Sequence, residues 1–239
     1  MKTYSADLHI HTCLSPCAEI EMSPKNIVKK AKEMNLDIIG ICDHNTCENV
    51  PYVKRSAKNH GVHVIGGIEV TSKEEAHLLA LFASTKALYV MQKIIYDNLS
   101  GLNDANKYGD QIVVNENNEI LRFNTKLLIG ATSLSVEQIV DYVHSLGGIA
   151  IASHIDRGSF SIVSQLGFIP PGLKIDAVEI SNKENIDVYR DLLLPMVMFS
   201  DAHQTKDIGK NITHFRMNNV SLKEMHKSLL AEDNRKITV

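Results

Sequence analysis

The chain reads as an α/β protein, and within that class as a distorted, closed or nearly closed (β/α) barrel. Three observations predict this. Strand-type and helix-type segments alternate about seven times along the chain. The strand-type segments are continuous apolar runs, as expected where a parallel sheet is buried under helices. No glycine-rich phosphate loop follows the first strand, which disfavours a dinucleotide-binding sheet.

The elements follow in order. "MKTYSADLHIHT" opens with an apolar run of strand type. "SPKNIVKKAKEMNL" predicts a helix, with Ser23 at the N-cap, Pro24 at the first helical position, and Ile27, Val28, Ala31 and Met34 on one side. "DIIGICDHN" is a short strand, "PYVKRSAKNHG" a helix closed by Gly61, and "VHVIGGIEVTS" and "AHLLALFAS" are two further strands. The helix "KALYVMQKIIYDNL" leads into an insertion over residues 101–132, where "QIVVNENNEILRF" predicts a hairpin. "SVEQIVDYVHSLGG" restores a helix, with Ser135 and Gln138 placed as a capping box. Then come "IAIASHIDR" (strand), "SFSIVSQLG" (helix), "DAVEIS" (strand), "ENIDVYRDLL" (helix), "PMVMFSDAH" (strand) and "SLKEMHKSLLAE" (helix). With no linker or low-complexity tract, residues 1–239 are expected to form one barrel domain.

Composition bounds the function. Apolar residues make up 44% and charged residues 22% of the 239, ordinary values for a water-facing globular chain with a sizeable core. A net charge of −3 gives no bulk electrostatic argument for nucleic acid. No apolar run reaches the roughly 20 residues that span a bilayer, and no signal-type leader is visible, so a cytoplasmic location is the expectation. Cys13, Cys17, Cys42 and Cys47 then read as reduced thiols; their spacing is not that of a common metal finger. No protein partner is readable.

The polar residues fall at strand ends. The first strand gives His9 and His11, the second Asp43 and His44, and the third Glu69. "IASHIDR" gives His154, Asp156 and Arg157, and "FSDAH" gives Asp201 and His203. A (β/α) barrel builds its site at the C-terminal ends of its strands, so these residues should converge. His77 alone stands at the start of its strand. A lone histidine is usually surface or satisfied core, which suits His60, His63, His144, His214 and His226. Six imidazoles and two acids at strand ends instead suggest shared metal ions. Imidazole with carboxylate suits zinc, manganese, iron or nickel rather than calcium or magnesium. The set exceeds the three or four ligands of one zinc, so at least two ions are expected, bridged by a carboxylate such as Glu69. Arg157, beside His154, is placed to bind phosphate oxygens through its guanidinium fork.

With these motifs assembled, the sequence resembles the PHP (polymerase and histidinol phosphatase) family. The matching segments are "DLHIHT", "CDHNT", "ASHIDR" and "SDAH", in the family's order, with Glu69 and His77 between them. The resemblance implies a distorted (β/α)7 barrel and two or three divalent ions, often manganese, iron or zinc. It assigns His9, His11, Glu69 and Asp201 to one ion. Glu69, His77 and His154 would hold a second, and His44 and His203 a third. Here the sequence departs from the family pattern. The loop after the first strand commonly carries an aspartate, whereas this chain has Ser15-Pro16-Cys17, leaving Cys17 or Glu19 as stand-ins.

The resemblance implies a metal-dependent phosphoesterase whose small phosphorylated substrate, a phosphomonoester or nucleotide, lies across the ions and against Arg157. Asp43 and Asp156 are the spare carboxylates expected to orient ligand histidines or move the proton. The alternatives are an exonuclease of short oligonucleotides, or a non-catalytic regulatory protein on the same scaffold. A metal-dependent amide hydrolase would call for a lysine at a strand end, and none is well placed.

Overall fold

The computed structural model describes all residues 1–239. Its eleven strands are β1 (Lys2–Ile10), β2 (Ile38–Ile41), β3 (His63–Thr71), β4 (His77–Phe82), β5 (Ile112–Val114), β6 (Ile120–Phe123), β7 (Ile149–Ala152), β8 (Ala177–Glu179), β9 (Met196–Val197), β10 (Thr213–Met217) and β11 (Lys236–Thr238). The helices are α1 (Pro24–Glu33), α2 (Val50–Ala57), α3 (Thr85–Asn98), α4 (Ala105–Tyr108), α5 (Val136–Ser145), α6 (Ile162–Leu166) and α7 (Leu222–Leu229). None is long and apolar enough to cross a membrane.

Seven strands form a nearly closed barrel in the order β1-β2-β3-β4-β7-β8-β9. The residues after β9 come back to β1. His11 N–H donates to Ala202 O at 3.0 Å, and Ala202 N–H donates to His9 O at 3.2 Å. β10 and β11 extend the sheet outward from the N-terminal half of β1. Neither is expected from the sequence, because "THFRM" and "KIT" are short and lack a continuous apolar run.

The strands alternate as a barrel requires. Ala6, Leu8, Ile38, Ile65, Leu79, Leu81, Ile149, Ile151, Ala177, Val197 and Phe199 fill the interior, with Leu222, Met225 and Leu229 of α7. Their neighbours Ile39, Ile41, Ile68, Leu78, Ala80, Ala150 and Val178 pack outward under the helices. Each such fully buried Ile or Leu contributes about 1.5–3 kcal/mol before entropy is counted.

Helix by helix, the local chemistry explains the fit. α1 carries Pro24 at its first turn and buries Ile27, Val28 and Ala31, one stripe at helical spacing. α5 begins with the expected capping box, the Ser135 side chain accepting from Gln138 N–H and the Gln138 side chain from Ser135 N–H. The segment "ENIDVYRDLL" differs from its expectation: residues Lys183–Leu192 wind as a 3₁₀ helix with no buried residue.

Two departures from a regular parallel barrel place the candidate site residues. The first is direction. β4 runs antiparallel to both β3 and β7, reached through a tight turn in which Ser72 N–H donates to Ala76 O at 2.9 Å. The strict strand–helix rhythm therefore fails between β3 and β4. His77, the first residue of β4, pairs with Thr71, the last of β3. It lies at the ligand end because its strand points the other way.

The second departure is a β-bulge. β1 pairs Asp7 with Ile39 and Ile10 with Ile41, so β1 has one residue more than β2 over that span. Before the bulge, Ala6 and Leu8 face the interior; after it, Ile10 faces outward. The extra residue shifts the phase by one and turns His9 and His11 into the barrel mouth. Gly40 makes room for it: a Cβ there would lie 2.3 Å from Leu8 O.

Candidate metal centre

The expected ligands converge. His9, His11, Glu69 and Asp201 present donor atoms within 4.8 Å of one another, as do His11, His44 and His203, and also His44, Glu69 and His77. Glu69 is the centre of the arrangement. Its Oε1 lies 3.0 Å from His77 Nδ1, 3.2 Å from His154 Nε2 and 3.3 Å from His9 Nε2. Its Oε2 lies 3.0 Å from His44 Nδ1 and 3.3 Å from His11 Nε2. Asp201 Oδ1 faces His11 Nε2 at 3.0 Å and His9 Nε2 at 3.2 Å.

Hydrogen bonds behind the rings fix which nitrogen points inward. His9 Nδ1 donates to the Glu179 carboxylate at 3.0 Å, since a carboxylate can only accept. Ser15 Oγ donates its one proton to Asp43 Oδ1 at 2.8 Å, so it accepts from His11 Nδ1 at 2.9 Å. Both Nε2 lone pairs are thereby turned toward each other, 3.2 Å apart, and toward two carboxylates. Lone pairs so arranged repel unless a proton or a metal ion lies among them.

Buried, partnerless atoms support a cation. His44 Nδ1, Glu69 Oε2, His154 Nδ1 and Asp201 Oδ1 are buried and form no hydrogen bond, although His44 Nδ1 and Glu69 Oε2 are 3.0 Å apart and Asp201 Oδ1 is 3.0 Å from His11 Nε2. Orphaned donors and acceptors of this kind cost about 1–3 kcal/mol each, more when charged. Three of the four face one another in the cluster. This imidazole-and-carboxylate donor set fits divalent ions of the zinc, iron and manganese group.

Two members of the cluster are among the twelve non-glycine residues of the chain with positive φ. His154 (φ +30°) and Asp201 (φ +46°) occupy the left-handed region, disfavoured for residues with a side chain. Each costs on the order of 1–3 kcal/mol, and such strain concentrates at functional positions.

The electrostatics follow from this crowding. Burial pushes the Glu69 carboxyl up, but His77, His9 and His44 outweigh it and hold Glu69 well below the usual carboxylate range. Asp201 is likewise held low, against burial, by His9 and His11. Burial pulls His11 down, yet Asp201 and Glu69 raise it to about 9. His203 goes the other way: burial and the neighbouring His11 push it down to about 3.

A cavity of about 320 Å³ opens over the cluster, lined in part by Cys17, Ile129, Arg157, Ser159 and Phe160. Arg157 is at its mouth, donating from Nη1 to Asp201 Oδ2 and from Nε to Ser181 Oγ at 3.0 Å. Ile129 comes from the insertion, which is fastened beside His44 where the Asn45 amide donates to Leu128 O and Gly130 O, both at 2.8 Å.

Other expected residues are placed differently. Asp43 does not reach the cavity; it supports the cluster from beneath, accepting from Thr12 N–H and Thr12 Oγ1 as well as Ser15. Asp156 is not brought to the cluster. Its oxygens accept from Ser181 N–H, Asn182 N–H and Asn185 Nδ2, which orders the loop after β8. Glu19 is exposed and does not line the cavity, although its N–H donates to His203 O at 2.9 Å. Of the two stand-ins, only Cys17 borders the cavity.

Sequence reasoning missed Glu179, Ser15 and Phe160. An acid ending the apolar strand "DAVEIS" was the available signal for Glu179. Ser15 and Phe160 carry no such mark, because their roles depend on what lies across from them.

Comparison with known proteins agrees with this geometry. Residues 7–164, more than half the chain, match the PHP domain. A 5'-3' exoribonuclease of Haemophilus influenzae is 23% identical over 192 residues, covering 64% of this chain and 69% of that protein. Among solved structures, the lesion-specific endonuclease PfuEndoQ of Pyrococcus furiosus matches with a TM-score of 0.76 at 18% identity. That match covers 100% of this chain, which spans 58% of the endonuclease's length. A structure of Endonuclease Q on a 27-mer duplex with an abasic lesion matches with a TM-score of 0.72 at 17% identity, over 98% of this chain and 58% of that one. At such identities the two structures speak for the fold alone. The domain match, with the barrel and the converging histidines and acids, gives the assignment: the chain belongs to the PHP domain family of metal-dependent phosphoesterases.

Proposed function

We propose that the chain hydrolyses a phosphoester of a nucleotide, either freeing phosphate from a mononucleotide or releasing the terminal nucleotide of a short oligonucleotide. The observation that carries this reading is a buried cluster of imidazoles and carboxylates with a single guanidinium at its mouth. Two or three ions of manganese, iron or zinc would be held there. On the family pattern, His9, His11, Glu69 and Asp201 would hold one ion, Glu69, His77 and His154 a second, and His44 and His203 with a further donor a third. Bound ions of this kind polarise phosphoryl oxygens and make coordinated water more acidic.

The chain's own residues do the rest. Arg157 offers Nη2, which has no protein acceptor, to a phosphate oxygen while Nη1 stays on Asp201. Glu179 on His9 and the Ser15–Asp43 pair on His11 keep both imidazoles oriented. Phe160, 45% exposed at the mouth and stacked on His77 with ring centroids 5.0 Å apart, presents a surface for a nucleobase. A volume near 320 Å³ lies at the small end of ligand sites and suits one nucleotide rather than a duplex. Similarity to the exoribonuclease supports the end of an oligonucleotide as the place of attack.

The test is elemental analysis of protein purified without chelator, alongside turnover on a substrate panel. The panel holds nucleoside mono- and bisphosphates, end-labelled short oligoribonucleotides, an abasic-site duplex and a simple aryl phosphate. Release of phosphate or mononucleotides from the nucleotide substrates is expected. Turnover confined to the aryl phosphate or the duplex, or none by protein loaded with metal, overturns the proposal.

A further inference from the structure

The donor set His11, His44 and His203 contains no anionic member, although its three nitrogens lie within 4.8 Å of one another. The rings are close: centroids are 4.2 Å apart for His11 and His203, and 4.5 Å for His11 and His44. The loop after β1 brings one candidate to complete it. Ala18 N–H donates to Ser15 O at 2.9 Å, and Glu19 N–H donates to His203 O at 2.9 Å, which tethers the loop to the backbone of a member of the set. The insertion supports the loop from the other side, where Gly109 approaches so closely that a Cβ there would lie 2.6 Å from Pro16 O.

Between those two anchors, Cys17 borders the cavity together with His44 and His203. Cys13, Cys42 and Cys47 are buried among apolar residues, while Cys17 is exposed. A second observation points to a ligand here. His44 is more than nine-tenths buried, and its Nδ1 and Glu69 Oε2, 3.0 Å apart, form no hydrogen bond, as two donors to a shared cation would not.

We propose that Cys17 is the anionic donor of an ion held by His44 and His203 beside His11, making a thiolate–imidazole site in a cluster otherwise built of imidazole and carboxylate. The thiol proton goes to solvent as the S–metal bond forms, so the sulfur enters as an anion and partly offsets the ion's charge. Thiolate is a soft ligand, and this site therefore takes zinc or iron(II) over manganese and magnesium, whereas the Glu69 sites, with oxygen donors, accept manganese. The inference rests on the proposed reading of the cavity as a multi-metal centre.

The test titrates the full-length, metal-free protein with cadmium and cobalt(II), recording the sulfur-to-metal charge-transfer band in the ultraviolet and the number of ions bound. Wild type is expected to bind three equivalents and to show the band with one of them. Cys17→Ser should lose the band and that equivalent while keeping the other two. Cys17→Asp should regain three ions without the band and shift the third site toward manganese. As Cys17 is exposed, metal-free Cys17→Ser should unfold at the wild-type temperature. Two ions and no band in wild type overturn the thiolate site and leave the metal centre standing. A band that persists in Cys17→Ser assigns the sulfur elsewhere and also overturns it. No binding of any ion by a folded protein overturns both readings.

Discussion

Glu179 accepts from His9 Nδ1 at 3.0 Å, and with the same carboxylate it accepts from His154 N–H at 3.1 Å. One acid at the end of β8 thus orients two candidate ligands, a side chain and a strained backbone. Outer partners of this type commonly contribute 10–100-fold to metal affinity. Glu179→Gln, which weakens the acceptor while keeping its shape, should lower affinity at the His9 site by roughly tenfold or more. Isothermal titration with zinc or manganese measures it; unchanged affinity would show that Glu179 only fills space.

Gly40 is where the bulge in β1 presses on β2. Gly40→Ala forces a Cβ to within 2.3 Å of a backbone oxygen that has no side-chain freedom to move. Overpacking of this kind costs about 1–3 kcal/mol, and here relief requires shifting the strand that carries His9 and His11. Urea unfolding of the metal-free protein should report that loss, and metal titration should report weakened binding. An alanine variant with native stability and affinity would mean the bulge does not depend on Gly40.

Arg157 contacts Asp201 Oδ2 and leaves Oδ1 to the histidines. Arg157→Ala should lower kcat/KM for a nucleotide phosphoester by about 10²–10³, the range typical of removing one donor from a developing anion. Metal content by elemental analysis should remain near wild type, since His9, His11 and Glu69 are intact. Arg157→Lys should restore little, because an ammonium lacks the planar fork. Loss of metal in proportion to activity would instead assign Arg157 to holding Asp201.

At the base of the barrel, Arg235 grips Glu224 through Nε and Nη2 at 2.9 and 2.8 Å, and Asn218 N–H donates to the same carboxylate at 2.8 Å. These bonds, Arg235 first, pull the Glu224 carboxyl down to about 2. Because the folded value lies below the ordinary one near 4.5, the pair stabilises the fold above that ordinary value. That contribution fades as pH falls from about 5 toward 2. Thermal unfolding of Glu224→Gln between pH 7 and pH 2 should therefore show a shallower acid decline than wild type. Parallel declines would remove Glu224 from the acid response.

Much of the centre is legible in the residues and their spacing. His9, His11, His44, Glu69, His154, Asp201 and His203 stand at the ends of apolar runs, and imidazoles and acids in such places need a partner that a core does not supply. Local chemistry also marks α1 and α5, through Pro24 and through the Ser135–Gln138 box, because capping acts over a few residues. What those residues cannot encode is direction and phase. His77 belongs to the centre because β4 runs antiparallel, and strand direction is set by pairing with β3 and β7 rather than by the run "HLLALF" itself. His9 and His11 face inward because one extra residue against β2 shifts the phase of β1, at a glycine 31 positions from His9 in sequence. The loop that carries Cys17 is tied to His203 after β9, and Asp156 turns away to the loop after β8, both far along the chain. Residue chemistry and local spacing by themselves determined which groups demand a shared cation. Long-range strand pairing alone decided which of them come together, because side-chain direction at a strand end depends on the neighbour across the ladder.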